Sequence, residues 1–116
     1  MQLNEKPLEI LPALNGHLIL YPDRLVIRKA DWFSNLFHHY DADVQTIRLH
    51  EIADIILYSP RLFMSGALRI VVAGNPKANV LLIYRVRDHR TALRIKETVE
   101  DLASRMHVHD FVKEHF

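Results

Sequence analysis

The spacing of apolar residues changes once along the chain, at Asp88, and no other feature constrains the fold as much. Before it, short segments alternate between apolar and polar positions, as where Leu68 and Ile70 flank Arg69. A two-residue period is typical of a half-buried β-strand. After Asp88 the apolar residues recur every three or four positions, which predicts an amphipathic helix. These helical positions are Ala92, Ile95, Val99, Leu102 and Met106.

Turn-forming residues divide the alternating region into closely spaced strands. Pro22 and Asp23 separate the first two and predict a hairpin, since proline presets the φ angle that a turn requires. The predicted strands cover residues 16–21, 24–29, 44–49, 52–58, 66–72 and 79–86, and the predicted helix covers residues 88–106. The last strand is apolar on both faces in its middle, which favours a central position in its sheet.

Six or seven short strands and one helix indicate a mainly β fold, an antiparallel sandwich or barrel whose open end the helix closes. We expect an irregular lead-in over residues 1–15, which contain Pro7 and Pro12, one domain over residues 16–106, and a C-terminal tail over residues 107–116.

Composition excludes several classes of protein. A length of 116 residues fits one domain, and the net charge of +1 creates no overall field that would attract nucleic acid. The chain has no cysteine, which excludes disulfides, iron–sulfur clusters, thiolate zinc sites and cysteine nucleophiles. We find neither a signal peptide nor the run of about 20 apolar residues that a membrane-spanning helix needs. These features predict a cytoplasmic protein.

Three segments resemble the bacterial pleckstrin-homology-like (PH-like) families and, less closely, the GRAM-type branch of the same superfold. They are a glycine-led hairpin at residues 16–28, the step at residues 47–55, and the glycine-led strand at residues 66–70, with the terminal helix after them. The resemblance covers roughly residues 16–106. It implies a seven-stranded bent sandwich capped by the helix, and a non-enzymatic role in binding peptides, proteins or lipid headgroups. Bacterial members often accompany membrane-linked or secretion-linked partners, or self-associate.

No pattern in the sequence predicts a catalytic or metal-binding residue. Eight histidines are scattered along the chain, whereas zinc needs three or four converging ligands. The motifs of serine hydrolases, zinc proteases and phosphate-binding loops do not occur. We therefore expect no enzyme activity, no metal and no cofactor.

Basic residues where the last strand meets the helix offer one possible binding site. Arg85 and Arg87 share a face of the predicted strand, and Arg90 follows. Two or three arginines could hold a phosphate in bidentate fashion, so an anionic lipid headgroup is the alternative ligand class. An ordinary solvated surface is the other interpretation. Interleaved aromatic and basic residues do not occur here, and we expect no nucleic-acid binding.

Aromatic residues are concentrated between the second and third predicted strands. If that segment is helical, its apolar residues share one side; they are Trp32, Phe33, Leu36, Phe37 and Tyr40. Either they fold over the barrel as part of the core, or they form a surface for a protein partner or for self-association. Leu62 and Phe63 form a second, smaller candidate patch. Our first hypothesis is a non-enzymatic module that binds protein or forms a homo-oligomer, and the second is a peripheral membrane-binding module.

Overall fold

The protein consists of two antiparallel sheets and one long helix. The computed structural model describes residues 5–29, 44–61 and 65–115, of which residues 106–115 are described as backbone only. The first sheet contains, in order, β1 (Glu9–Ala13), β2 (Gly16–Leu20), β3 (Arg24–Lys29) and β4 (Val44–Arg48). The second contains, in order, β5 (Ile52–Tyr58), β6 (Gly66–Val72) and β7 (Val80–Tyr84), and helix α1 spans His89–His115. The predicted mainly β fold with one C-terminal helix is confirmed.

The hairpin predicted around Pro22 joins β2 to β3. The Tyr21 amide donates a hydrogen bond to the Arg24 carbonyl at 2.9 Å, which closes the turn. In the resulting register Leu18 pairs with Ile27. Because successive side chains of a strand point to opposite faces of the sheet, every second residue points into the core. Leu18, Leu20, Leu25 and Ile27 are fully buried.

Residues 9–13 form a strand, so the prediction of an irregular lead-in over residues 1–15 is wrong for this part. β1 pairs with β2 and places the buried Leu11 opposite Leu18. Pro12 lies within β1, opposite His17. Proline lacks an amide donor and is tolerated in edge strands. The position of β1 at the end of its sheet explains why Pro12 does not interrupt it.

The helix lies against β1 and β5 and buries Ala92, Ile95 and Val99 between the sheets. It continues to His115, so the prediction of a tail from residue 107 is wrong for the backbone of residues 107–115. No glycine or proline follows Met106 to end the helix. Among the described residues, no helix combines the length and the apolar character that crossing a membrane requires.

Side-chain amides connect the two sheets where their outer strands meet. The Asn15 side chain accepts a hydrogen bond from the Ile83 amide at 3.0 Å and donates one to the Leu81 carbonyl at 2.8 Å. On another side of the molecule, Gln45 of β4 donates to the Ala78 carbonyl at 2.6 Å. These bonds satisfy backbone groups of β7 and of the turn before it, so both junctions between the sheets carry specific contacts.

Candidate functional site

The aromatic segment predicted to bind a partner lies outside the described residues. The same holds for the smaller patch between β5 and β6. The residues concerned are Trp32, Phe33, Leu36, Phe37, Tyr40, Leu62 and Phe63. Their assignment to a binding surface stays a prediction.

Arg85 and Arg87 line one small cleft, but they do not share a strand face as predicted. β7 ends at Tyr84, and a 3-10 turn at Val86–Asp88 leads directly into α1. The cleft has a volume of about 180 Å³, and its lining residues are Pro12, Ala13, Leu14, Arg85, Arg87 and Asp88. Arg90 is exposed in the first turn of α1 and is not among these lining residues.

The cleft combines opposite charges with exposed apolar side chains. The Asp88 carboxylate lies 4.0 Å from Nε of Arg87 and offsets part of its charge. Leu14, which lines the cleft, and Val86, which lies between the two arginines in the sequence, are both more than half exposed. A cleft of this kind suits an anionic group attached to an apolar chain, because guanidinium groups bind oxyanions and apolar side chains favour a hydrocarbon environment.

The outer face of the β5–β6–β7 sheet carries exposed apolar side chains from its two outer strands, β5 and β7. Ile55, Leu68 and Leu82 face the core, so the alternate residues of their strands face outward. We call five of these the outer patch: Ile56, Tyr58, Ala67, Leu81 and Ile83. In the strand register Tyr58, Ala67 and Ile83 form one row, and Ile56, Arg69 and Leu81 form the next. Tyr58 and Leu81 are each 47% exposed.

A shallow hollow lies within this face. Its volume is about 450 Å³, and it is lined by Tyr58, Ala67, Arg69, Asn79, Val80 and Leu81. Ala67 contributes little bulk, whereas its neighbour two positions along β6, Arg69, is exposed. The hollow is therefore lined by one cation, Arg69, together with apolar side chains.

The outer face of the first sheet also carries charges that are engaged within the chain. Arg24 donates to both carboxylate oxygens of Glu5 at 2.9 Å and to Asp23 at 2.7 Å. Its guanidinium lies 4.3 Å from the centre of the Tyr21 ring. The bond with Glu5 is the main cause that raises the pKa of Arg24, and the same bond lowers the pKa of the Glu5 carboxyl. These contacts fasten the segment before β1 to the hairpin.

A third concave surface lies between β5 and α1. This groove has a volume of about 430 Å³, and its lining includes Ile55 and Asp54 of β5 and Val99 and Ala103 of α1. The strand edge beside it is occupied, because the Asp54 carboxylate accepts the Ile55 amide at 2.8 Å. The register also shifts between Ile52 and Asp54. Bulges and charged side chains at an edge discourage the addition of a further strand.

The buried hydroxyl of Tyr84 lies where β7 meets the helix. It is 2.8 Å from Nδ1 of His89, and burial raises its pKa. The two rings stack with centres 5.9 Å apart. This contact holds the start of α1 against β7. Within residues 5–29, 44–61 and 65–105, no group of three or more His, Cys, Asp or Glu side chains is placed to hold a metal ion.

Sequence reasoning missed the outer patch, although the sequence contains its signal. The run at residues 80–84 is apolar on both faces, which favoured a central strand. The structure corrects this, since β7 lies at the end of its sheet. Leu81 and Ile83 lie on the exposed face of this outer strand, where the register places them beside Arg69 and Ala67 of β6.

A scan against protein-family models and searches of curated proteins and of solved structures found no match to this chain.

Proposed function

We propose that this chain is a non-enzymatic interaction module of the PH-like type that binds protein through the outer patch. One observation carries the proposal: Ile56, Tyr58, Leu81 and Ile83 lie around Arg69 on one sheet face, and the side chains of Tyr58, Leu81 and Ile83 are exposed. Contiguous exposed apolar surface in a folded domain marks an interaction site, because leaving it in water costs free energy.

The hydrogen bonds already formed at the outer strands favour a partner that packs on a sheet face over a peptide that joins a strand edge. Asn15 occupies backbone groups of β7, Gln45 bonds beside β4, and Asp54 occupies an amide of β5. A peptide that joined one of these edges as a new strand would have to displace such bonds. A partner that packs on the outer patch displaces only water.

The architecture supports the PH-like assignment at the level of topology. A four-stranded and a three-stranded antiparallel sheet, followed by one C-terminal helix, is the arrangement that the sequence resemblance implies. The absence of cysteine suits a reducing compartment, and we propose a bacterial cytoplasmic protein.

Site-specific photo-cross-linking tests the proposed contact surface. A benzophenone amino acid is placed at Tyr58 in the full chain, in cells of its own organism, and a matched chain carries it at Ile10 of β1. The two sites have similar exposure, 47% and 49%. We expect a discrete protein adduct from position 58 and none from position 10. Leu81→Lys in the same chain should abolish that adduct, because it places a charge within the patch.

Two results would contradict the proposal. One is a Tyr58 probe that yields no protein adduct while the chain remains folded. The other is an adduct that forms equally well from position 10 or persists with Leu81→Lys, since the contact would then not depend on the outer patch.

The cleft at the start of α1 favours a second function, binding to an anionic membrane surface. Arg85 and Arg87 line it beside the exposed Val86. Each basic residue near an anionic surface contributes about 1 kcal/mol. We expect co-sedimentation with vesicles of phosphatidylcholine and phosphatidylserine, lost in Arg85→Glu with Arg87→Glu. Arg90→Glu, outside the cleft lining, is the matched control and should bind nearly as the parent does. Absence of binding by the parent chain would reject this function.

A further inference from the structure

Arg69 is the charged residue at the centre of the outer patch, and its position determines what a partner on this surface must supply. β6 is the middle strand of its sheet, and Arg69 lies between Ile56 of β5 and Leu81 of β7. The Arg69 side chain is exposed. A partner that packs on its two apolar neighbours therefore covers the guanidinium as well.

Among the described residues, no carboxylate is paired with Arg69. Asp54, the acidic residue of β5, lines the groove beside α1, and its carboxylate accepts the Ile55 amide. A charge that loses its water without gaining a partner is strongly destabilising. A protein that covers the outer patch must therefore supply the opposite charge itself.

The hollow that Arg69 lines offers a second hydrogen-bond donor to such an anion. The Val72 amide donates to Oδ1 of Asn79 at 2.8 Å, which fixes the orientation of the Asn79 side chain. The nitrogen of that side chain carries two N–H donors. Asn79, Arg69 and Tyr58 line the hollow together, and its described lining includes no carboxylate. Guanidinium and amide donors beside apolar side chains suit a carboxylate, which can accept hydrogen bonds from both.

We propose that the outer patch binds a protein segment in which an aspartate or glutamate is flanked by large apolar residues, and that Arg69 and Asn79 bind its carboxylate. This inference rests on the proposed function and identifies the chemistry of its partner. The apolar flanks follow from the register, because Ile56 and Leu81 lie on either side of Arg69. Neighbouring strands lie about 4.8 Å apart, so the apolar side chains of the partner must lie within a few residues of its acid.

Selection from a random peptide library tests this chemistry in the absence of a known partner. The full chain is immobilised and screened against displayed peptides, and the enriched pool is sequenced. We expect the parent to enrich peptides in which Asp or Glu lies close to Leu, Ile, Phe or Trp. Arg69→Glu should lose the enrichment of acids, whereas Arg69→Lys keeps the cation and should retain it. Arg28→Glu changes an exposed arginine of β3, on the other sheet, and is the matched control that should select as the parent does.

An enriched peptide then serves as a defined probe in a fluorescence-anisotropy titration. Replacing its acid by the corresponding amide should weaken binding by about tenfold or more, because a charge-assisted hydrogen bond is lost. Asn79→Asp keeps an acceptor for the Val72 amide but replaces the donor by a carboxylate oxygen. It should weaken binding of the acidic peptide and change binding of its amide counterpart little. Far-UV circular dichroism of each variant confirms that it is folded before binding is compared.

A parent chain that enriches no acidic peptides overturns the inference. So does an enrichment of acids that survives Arg69→Glu or that Arg28→Glu removes equally. The proposed function fails separately. If the Tyr58 probe yields an adduct that Leu81→Lys abolishes but Arg69→Glu retains, the outer patch binds protein without a carboxylate, and only the inference is wrong. If that probe yields no protein adduct, both proposals are wrong.

Discussion

Gly66 is required by the packing of one large side chain across the β6–β7 pair. Tyr84 is fully buried, and Gly66 lies directly opposite it in the register. A Cβ atom at position 66 would lie 2.5 Å from both Cζ and Oη of the Tyr84 ring, well inside contact distance. The glycine therefore provides space for an aromatic ring that closes the core where β7 meets α1.

Gly66→Ala should lower the free energy of unfolding by about 1–3 kcal/mol, because the core must shift to accept the methyl group. Urea denaturation measures the loss. In a Tyr84→Leu background the same substitution should cost distinctly less, since the clashing ring is gone and contacting residues are not additive. Equal costs in the two backgrounds would show that the ring is not the source of the strain.

The hydroxyl of Tyr84 should give the protein a distinctive response to alkaline pH. Burial raises its pKa above the ordinary value near 10, so the folded state holds this proton more tightly than the unfolded state does. The protonated Tyr84 hydroxyl contributes to the free energy of unfolding fully at pH values below its pKa in the unfolded state. This contribution is lost as pH rises through its pKa in the folded state. Tyr84→Phe should cost about 1 kcal/mol at neutral pH, through loss of the bond to His89.

The difference in unfolding free energy between Tyr84→Phe and the parent should then shrink over the pH range that begins near the ordinary tyrosine pKa of about 10. Denaturant titrations at several pH values measure it. A difference that stays constant over this range would indicate that the Tyr84 hydroxyl titrates alike in the folded and unfolded states.

At the scale of elements, the helix depends on the apolar positions that its spacing predicts. Val99 is buried against the sheets, whereas Leu93, on the same helix, is exposed. Val99→Asp should lower the free energy of unfolding by more than about 3 kcal/mol, because it buries an unpaired charge. Leu93→Asp is the matched control and should change it little. Thermal melts that coincide for the parent and Val99→Asp would refute this packing of α1.

The Asn15 side chain should stabilise the junction between β1 and β7. Asn15→Ala removes two hydrogen bonds to β7 and should cost about 1–2 kcal/mol. The Ile83 amide should also exchange its hydrogen faster, which NMR can follow. Asn75→Ala, in the turn between β6 and β7, is a comparable substitution at an exposed position and should cost much less. If the two variants are equally stable, the Asn15 bonds contribute nothing in solution.

The spacing of apolar residues predicts strands and helices correctly where it is regular. It fails where contacts with the rest of the fold decide whether a segment forms a strand. The β2–β3 hairpin and the α1 stripe follow from spacing and from Pro22. β1 was missed because Pro12 argues against a strand unless the strand lies at a sheet edge, and edge position is a property of the whole fold. The bonds of Asn15 join residues far apart in sequence, so no local pattern indicates them.

At the scale of the whole molecule, the candidate surface depends on register more than on composition. Leu81 and Ile83 could be read from the sequence as apolar, but their place beside Arg69 and Ala67 follows from the pairing of β6 with β7. The arginines of the cleft were named from the sequence, and the structure brings Arg85 and Arg87 to one site through the 3-10 turn. Arg90 lies in the first turn of α1, where its side chain is exposed and does not line that cleft.

The whole fold should be independent of metal. Its core is formed by apolar side chains from both sheets and the helix, and the sequence has no thiolate ligand. We expect EDTA to leave the melting temperature unchanged. A drop of several degrees, or stoichiometric zinc in the purified protein, would show that metal binding contributes to folding.

The hydrogen bonds between the two sheets also affect how the domain would respond to a pulling force. Within each sheet, neighbouring strands share ladders of backbone hydrogen bonds, which resist sliding together. At the β1–β7 junction, Leu14 and Asn15 provide a short series of bonds to Leu81 and Ile83. A load that separates the sheets would break these bonds one after another. The domain should therefore open along this line at a low force, while each sheet keeps its own strands together.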